Sequence, residues 1–277
     1  MPTPTAGRAR GNSLGRATSP GSGRSRDNGQ RRVDNVSHVY QKVRALIVSG
    51  QLPPGARIAE RAMVARMGLS RTPVRSALHR LQQEGFIASV GRAGDQRLIV
   101  TPLTQLDGKE LFLIVGHLEG LAAREAATLP DNERKQVVKH LREINKALAL
   151  EARHNRSPAR VFELDLAFHR GYVEHVVGPR LRTLHRSTKP QIERYVRLYV
   201  NVLLDTLPTS VKEHDAIIDA IAKGSPDAAQ RRVEANWRNA AERLTRVIGE
   251  HGERGIWHLG LPDAHSAAGA ATRRRTR

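Results

Sequence analysis

The hexapeptide DLAFHR sets Asp165 and His169 four positions apart, a spacing that projects both side chains from one face of a helix. Three roles suit such a pair: metal ligation, an acid/base couple, or a hydrogen-bonded neighbourhood on an amphipathic helix. The chain has no cysteine, so disulfides, thiolate nucleophiles and cysteine-based zinc sites are excluded, and any metal would rest on His, Asp or Glu. A second chemistry-bearing stretch is LSRTPVRSALHRL, in which Arg71, Arg75 and His79 recur at four-residue steps beside an apolar stripe of Val74, Leu78 and Leu81. A basic row at the start of an amphipathic helix suits contact with a polyanion.

The elements around that basic row follow from helical spacing and breakers. From Asn35 to Ser49, Val39, Val43, Leu46 and Ile47 predict an amphipathic helix that stops at SGQLPPG. A second helix is expected from about Ala59 to Met67, ending at Gly68, a residue that tolerates positive φ. A third begins after Ser70, whose hydroxyl could cap it, with Pro73 in the first turn where a missing N–H costs nothing. IASVGRAGDQRLIV then reads as two short β arms around Gly91, Gly94 and Asp95. Three helices and a hairpin describe a winged helix-turn-helix with a small β-hairpin wing.

After TPLTQLD, in which Thr104 and Asp107 resemble a capping box with Asp in place of Glu, strand signals cease. Helices are expected at 105–128, 131–153, 159–176, 179–203, 210–222 and 226–248, with breaks at Pro130, Ser157-Pro158 and Gly178-Pro179, near Pro208, and at Gly224 to Pro226. The fold class is mainly α: a winged helix-turn-helix over 34–104 and a six-helix antiparallel bundle over 105–249. A length of 277 residues permits two cores.

The net charge of +19 is uneven. Residues 1–33 hold seven arginines and one aspartate and almost no large apolar side chain, so they are expected to be a disordered basic tail. Residues 250–277 form a second basic tail. Segment 34–104 has ten basic and four acidic residues, whereas 105–259 is nearly balanced at 25 and 21. No apolar run is long enough for a membrane span or the core of a signal peptide, which predicts an intracellular, cytoplasmic protein with no membrane partner.

LPPG, Glu60-Arg61, Gly68 and Ser70-Arg71-Thr72-Pro73-Val74-Arg75 resemble the winged-helix domain of the GntR-type bacterial transcription regulators over residues 36–103. The resemblance implies that Arg61, Ser70, Arg71, Thr72 and Arg75 contact operator DNA and that Gly91, Arg92 and Gly94 belong to a wing entering the minor groove. Elementary chemistry agrees, because Arg bonds bidentately to guanine, a hydroxyl meets phosphate, and glycine permits close approach to the duplex.

ELFLIVGHLEGLAAREAA, DLAFHRGYVEHVVGPRL and EHDAIIDAIAKGSPDAAQRRVEANW resemble the FCD effector-binding domain of the FadR-like branch over residues 107–246. That resemblance implies a divalent ion, zinc, nickel or similar, held by Asp165, His169 and His214. Asn236 stands where relatives carry a further His, and as a neutral, weaker donor it should lower affinity or favour a harder ion. Val115 replaces an arginine suited to an effector carboxylate, and His117 lies about 200° round the helix from it. Thr188, Tyr195 and Tyr199, on one stripe of helix 179–203, are candidate effector contacts.

The expected protein is a homodimeric regulator, a repressor, that reads an inverted-repeat operator and responds to a small-molecule metabolite. A metal-dependent hydrolase is the weaker reading, since HExxH, GxSxG and phosphate-cradling loops are absent, and no enzymatic activity is expected. An architectural DNA binder driven by basic tails would leave the helical bundle without a task.

Overall fold

The computed structural model describes residues 23–256 apart from Ala93, Asn155 and Arg156, and for residues 23–32 the backbone alone. Of the tails expected over 1–33 and 250–277, residues 1–22 and 257–277 lie outside the described residues. The first helix, α1 (Gly23–Val48), starts well before the tail boundary expected at residue 33. RSRDNGQRR contains no proline, and extending a formed helix is far easier than nucleating one.

The strand β1 (Arg57–Ile58) precedes α2 (Glu60–Met67) and α3 (Arg71–Gln83), and β2 (Ile87–Val90) and β3 (Arg97–Val100) form the wing. The sheet is antiparallel with order β1-β3-β2, so the expected hairpin gains a third strand. That short strand pairs Arg57 with Ile99 and Ile58 with Leu98. Gly68 ends α2 at φ 64. Ser70 holds the N-cap position of α3, yet its side chain makes no capping bond. Val39, Val43, Ile47, Val74, Leu78, Leu81, Phe86 and Val100 close one core under these elements.

The bundle comprises α4 (Gln105–Thr128), α5 (Asp131–Arg153), α6 (Pro158–Val176), α7 (Pro179–Leu203), α8 (Leu207–Ala222) and α9 (Pro226–His251). Pro158, Pro179 and Pro226 occupy helix starts, where proline is favoured. The break expected near Pro208 falls just before it. A 3-10 turn, Leu204–Thr206, carries α7 into α8, and Pro208 lies in the first turn of α8. Among the described residues no helix is long and apolar enough to cross a membrane.

The two cores meet along a linker. Leu103 and Arg254 exchange backbone hydrogen bonds of 2.9 and 3.0 Å, and Gln105 N donates to Glu253 Oε1 at 2.8 Å. Residues 252–256 therefore pack onto the junction, and the expected C-terminal tail does not begin at 250.

Helix α4 lies against α9 with glycine at the closest approach. A Cβ on Gly116 would stand 2.8 Å from Trp237 Cβ, and Trp237 packs edge-on to Phe112 at 5.4 Å. Gly116→Ala is expected to destabilise the fold by about 1–3 kcal/mol through overpacking, read as a lower urea midpoint with an unchanged slope.

Candidate metal and effector centre

The cluster is built from two turns of α6 and one of α8. Ligating atoms of Asp165, His169 and His214 lie within 4.8 Å of one another, with His214 Nε2 3.7 Å from Asp165 Oδ1. Ligands about 2.1 Å from a single ion are themselves roughly 3–4 Å apart, so the cluster is close to that size and slightly expanded.

Proton placement follows from the neighbours. Asn145 donates through Nδ2 to Val211 O and Asp215 Oδ1, which presents its Oδ1 to His214 Nδ1 at 3.2 Å. That oxygen only accepts, so His214 Nδ1 carries the proton and Nε2 keeps a lone pair. Nε2 is buried with no hydrogen-bond partner. An orphaned buried lone pair facing a carboxylate is a fitting donor for a cation. Phe168 stacks flat on His214 at 3.8 Å, and burial, then His169, holds the His214 pKa well below its ordinary 6.5.

His169 Nδ1 lies 2.7 Å from Glu119 Oε2 and 2.9 Å from Tyr172 Oη. Tyr172 already donates to Glu119 at 3.1 Å, so both neighbours accept from Nδ1, and Nε2 is again the free ligand atom. This is the carboxylate-imidazole support common behind metal-bound histidines.

Glu119, fully buried in α4, also receives His185 Nε2, Lys189 Nζ and Trp237 Nε1, each at 2.9 Å. Burial pushes its carboxyl up, but Lys189 and His169 overcome that and hold it well below 4.5. Sequence reasoning missed this residue. A signal existed: Phe112, Val115 or Gly116, Glu119, Ala122 or Ala123 and Ala126 fall on one small and apolar face, where a lone carboxylate is out of place.

Asn236 is buried and turns Nδ2 to Glu213 Oε2 at 2.8 Å, leaving Oδ1 as the atom it could offer a cation. Asp165, His169 and Asn236 line one cavity with about 690 Å³ of atom-free space, partly open to solvent. Phe112, Phe162, Val196 and Trp237 form apolar walls, and Arg243 enters from α9. Arg243 pairs with Glu213 at 3.0 Å. It was not foreseen, because its helix reads as a charged surface. Val115 is wholly core, and His117 turns outward to Glu234 at 3.1 Å.

The three expected effector contacts do not line this cavity. Thr188 donates to its own helix at Leu184 O, and Tyr199 to Gly252 O. Tyr195 closes the α4 cap: its Oη accepts from Thr104 N at 3.1 Å and donates to Asp107 Oδ2 at 2.6 Å. It thus completes the capping box that an Asp is too short to complete. The two tyrosine hydroxyls hold the domain junction, and that of Thr188 stays within α7.

In the reading head, Arg61, Ser70, Arg71, Thr72, Arg75, Gly91, Arg92 and Gly94 are all exposed. Arg75 is paired through two nitrogens with Glu60 at 3.2 Å, an exposed pair easily surrendered. Gly91 adopts φ 110, and a Cβ there would meet Asp95 O at 2.3 Å, so only glycine makes this wing turn.

A winged DNA-reading head joined to a helical sensor bundle defines the class. Residues 35–94 match the bacterial regulatory proteins of the gntR family, and residues 110–239 match the FCD domain. The chain is 32% identical over 123 residues to an HTH-type transcriptional regulator of Agrobacterium vitis, covering 44% of this chain and 70% of that protein. It is 27% identical over 201 residues to the "Probable D-xylose utilization operon transcriptional repressor" of Paenarthrobacter nicotinovorans, covering 72% and 84%. The solved structure of E. coli McbR/YncC superposes with a TM-score of 0.58 at 17% identity, covering 76% and 97%, and shows the same fold. The chain belongs to the GntR family of transcription regulators and carries an FCD domain.

Two acid sensitivities follow. Unfolded histidine protonates near 6.5 whereas buried His214 resists, so the unfolded chain gains protons and stability falls as pH drops below 6.5. Glu119 adds a second loss as pH falls below 4.5 toward its depressed folded pKa. Thermal midpoints across this range should decline in that order, and a flat profile from pH 7 to 5 would contradict the His214 assignment. Glu119→Gln leaves Lys189 buried without its counter-charge and is expected to lose about 3–5 kcal/mol in denaturant titration.

Proposed function

We propose that this regulator is a cytoplasmic, homodimeric repressor that binds an inverted-repeat operator and is switched by a small anionic metabolite in the Asp165–His169–Asn236 cavity. The observation that carries this reading is the course of α7. Its Val196 and Val200 line the cavity, its His185 and Lys189 grip Glu119, and its Gln191 donates to Glu84 O at 2.6 Å. Arg194 donates to Thr101 O, so the same helix holds the carbonyl ends of α3 and β3. An effector that favours one position of α7 then favours one placement of the reading heads, by its differential affinity for the two. The repressor named among the relatives supports the sign of regulation.

Asp165, His169 and His214 would hold a divalent ion, with Asn236 Oδ1 as a weaker fourth donor. Such an ion supplies a positive centre with open positions for effector oxygens. Both Nδ1 protons are tied to acceptors, which favours ligation over proton transfer and regulation over catalysis. Arg243 offers a planar guanidinium for a carboxylate, filling the role left open by Val115, and the aromatic walls suit an apolar body of small size.

Arg71→Ala is expected to weaken binding to a matched palindrome roughly ten- to hundredfold while leaving random-sequence DNA unchanged. Equal affinity of the parent protein for palindrome and random DNA at physiological salt would instead favour an architectural role. Elemental analysis should find a divalent metal that His214→Ala loses and Asn236→His binds more tightly. Metal-free parent protein that gains no thermal stability from zinc, nickel or manganese would reject the site.

A further inference from the structure

A second cavity, with about 1110 Å³ of atom-free space partly open to solvent, shares no lining residue with the first. It lies where α1 of the reading head meets α6 and α7 of the bundle, and Arg44, Arg170, Arg182, Arg186 and Lys189 face only Glu174 and Glu193 across it. Lys189 answers Glu119 at 2.9 Å, and Arg170 stands 4.0 Å from Glu193. Three guanidiniums, Arg44, Arg182 and Arg186, then share one remaining carboxylate, Glu174. Their other contacts are neutral: Arg182 Nη2 donates to Val177 O at 2.9 Å and Arg44 Nη2 to Arg186 O at 2.5 Å. These bonds fix the Arg44 and Arg182 groups without offsetting their charge.

Arg44 is the telling member. Its guanidinium lies over the Phe86 ring at 5.3 Å, and its Nε is buried with no hydrogen-bond partner. The guanidinium is thus held in place with its charge unmatched, and a cleft with surplus positive charge suits an oxyanion, which arginine binds by charge-assisted hydrogen bonds. Arg44 lies between Val43 and Ile47 of the head core, whereas Arg182 and Arg186 belong to the bundle. One anion touching all three would tie head to bundle.

We propose that this cleft binds a small multivalent oxyanion, a phosphate-bearing or polycarboxylate metabolite, through Arg44, Arg182 and Arg186. It is a second ligand site, independent of the Asp165 cavity, and its occupancy selects the head placement in which the three guanidiniums converge.

Calorimetric titration of the full-length protein with pyrophosphate tests it. Binding is expected in the parent and in His214→Ala, which separates this cleft from the metal cluster. The exposed double variant Arg182→Ala/Arg186→Ala should bind about tenfold more weakly or worse, the loss expected for a charge-assisted hydrogen bond, while keeping the parent's far-ultraviolet circular dichroism spectrum as evidence of an intact fold. Pyrophosphate should also change the operator affinity of the parent and not that of the double variant. Three results would overturn the proposal: no heat with the parent, undiminished binding in the double variant, or loss by that variant of affinity for random DNA with no pyrophosphate present. The last would make these arginines contacts to the DNA backbone.

Discussion

A carboxylate removed from water must be met by donors or give up its charge, and Glu119 is met by five side chains from three helices. His169 and Tyr172 reach it from α6, His185 and Lys189 from α7, and Trp237 from α9. With Glu119 itself on α4, four of the six bundle helices converge on two oxygen atoms. A buried network of this kind adds little net stability over an apolar core, but it penalises any arrangement that leaves a member unmatched. The register of α4, α6, α7 and α9 is thereby specified, and with it the relative positions of the cavity wall and the helix that carries the reading head.

The same constraint prepares the proposed metal cluster. An imidazole ligates through whichever nitrogen is unprotonated, and Glu119 decides that for His169 as Asn145 does for His214. Both supports lie outside the cluster, on helices α4 and α5, so the donor atoms are oriented before any ion arrives. Asn236 is different in kind. Its amide is oriented by Glu213, which also holds Asn239 and Arg243. The fourth position and the guanidinium of the cavity thus share one carboxylate, and an anion drawn to Arg243 competes with Glu213 and alters the hold on Asn236. Glu213 thereby joins the proposed metal position to the proposed effector position through a single side chain.

Helix α7 carries Pro190 between Lys189, which answers Glu119, and Gln191, which grips the head. Proline removes a backbone hydrogen bond from a helix interior and is the usual cause of a bend there. The junction between sensing and reading therefore falls where α7 is least constrained by its own backbone. The arginine-lined cleft opens at this same point, with Pro190 in its wall, so the two proposed ligands would act on one helix from different sides of the junction.

Much of the fold was legible because its elements are punctuated by proline and glycine. The bundle helices begin and end within a few residues of their expected bounds, and the wing occupies the expected span. Legibility failed where a side chain serves a distant partner. Tyr195 lies on a plausible pocket stripe, yet its hydroxyl completes the cap at Thr104, across 91 positions of sequence. Glu119, 50 positions before His169, fixes the tautomer of a residue whose own motif gave no hint of it. Asp165 and His169 were readable as a pair because helical spacing is local. What makes them a prepared site is the burial of a single carboxylate on another helix, and helical periodicity carries no information about which helices will meet.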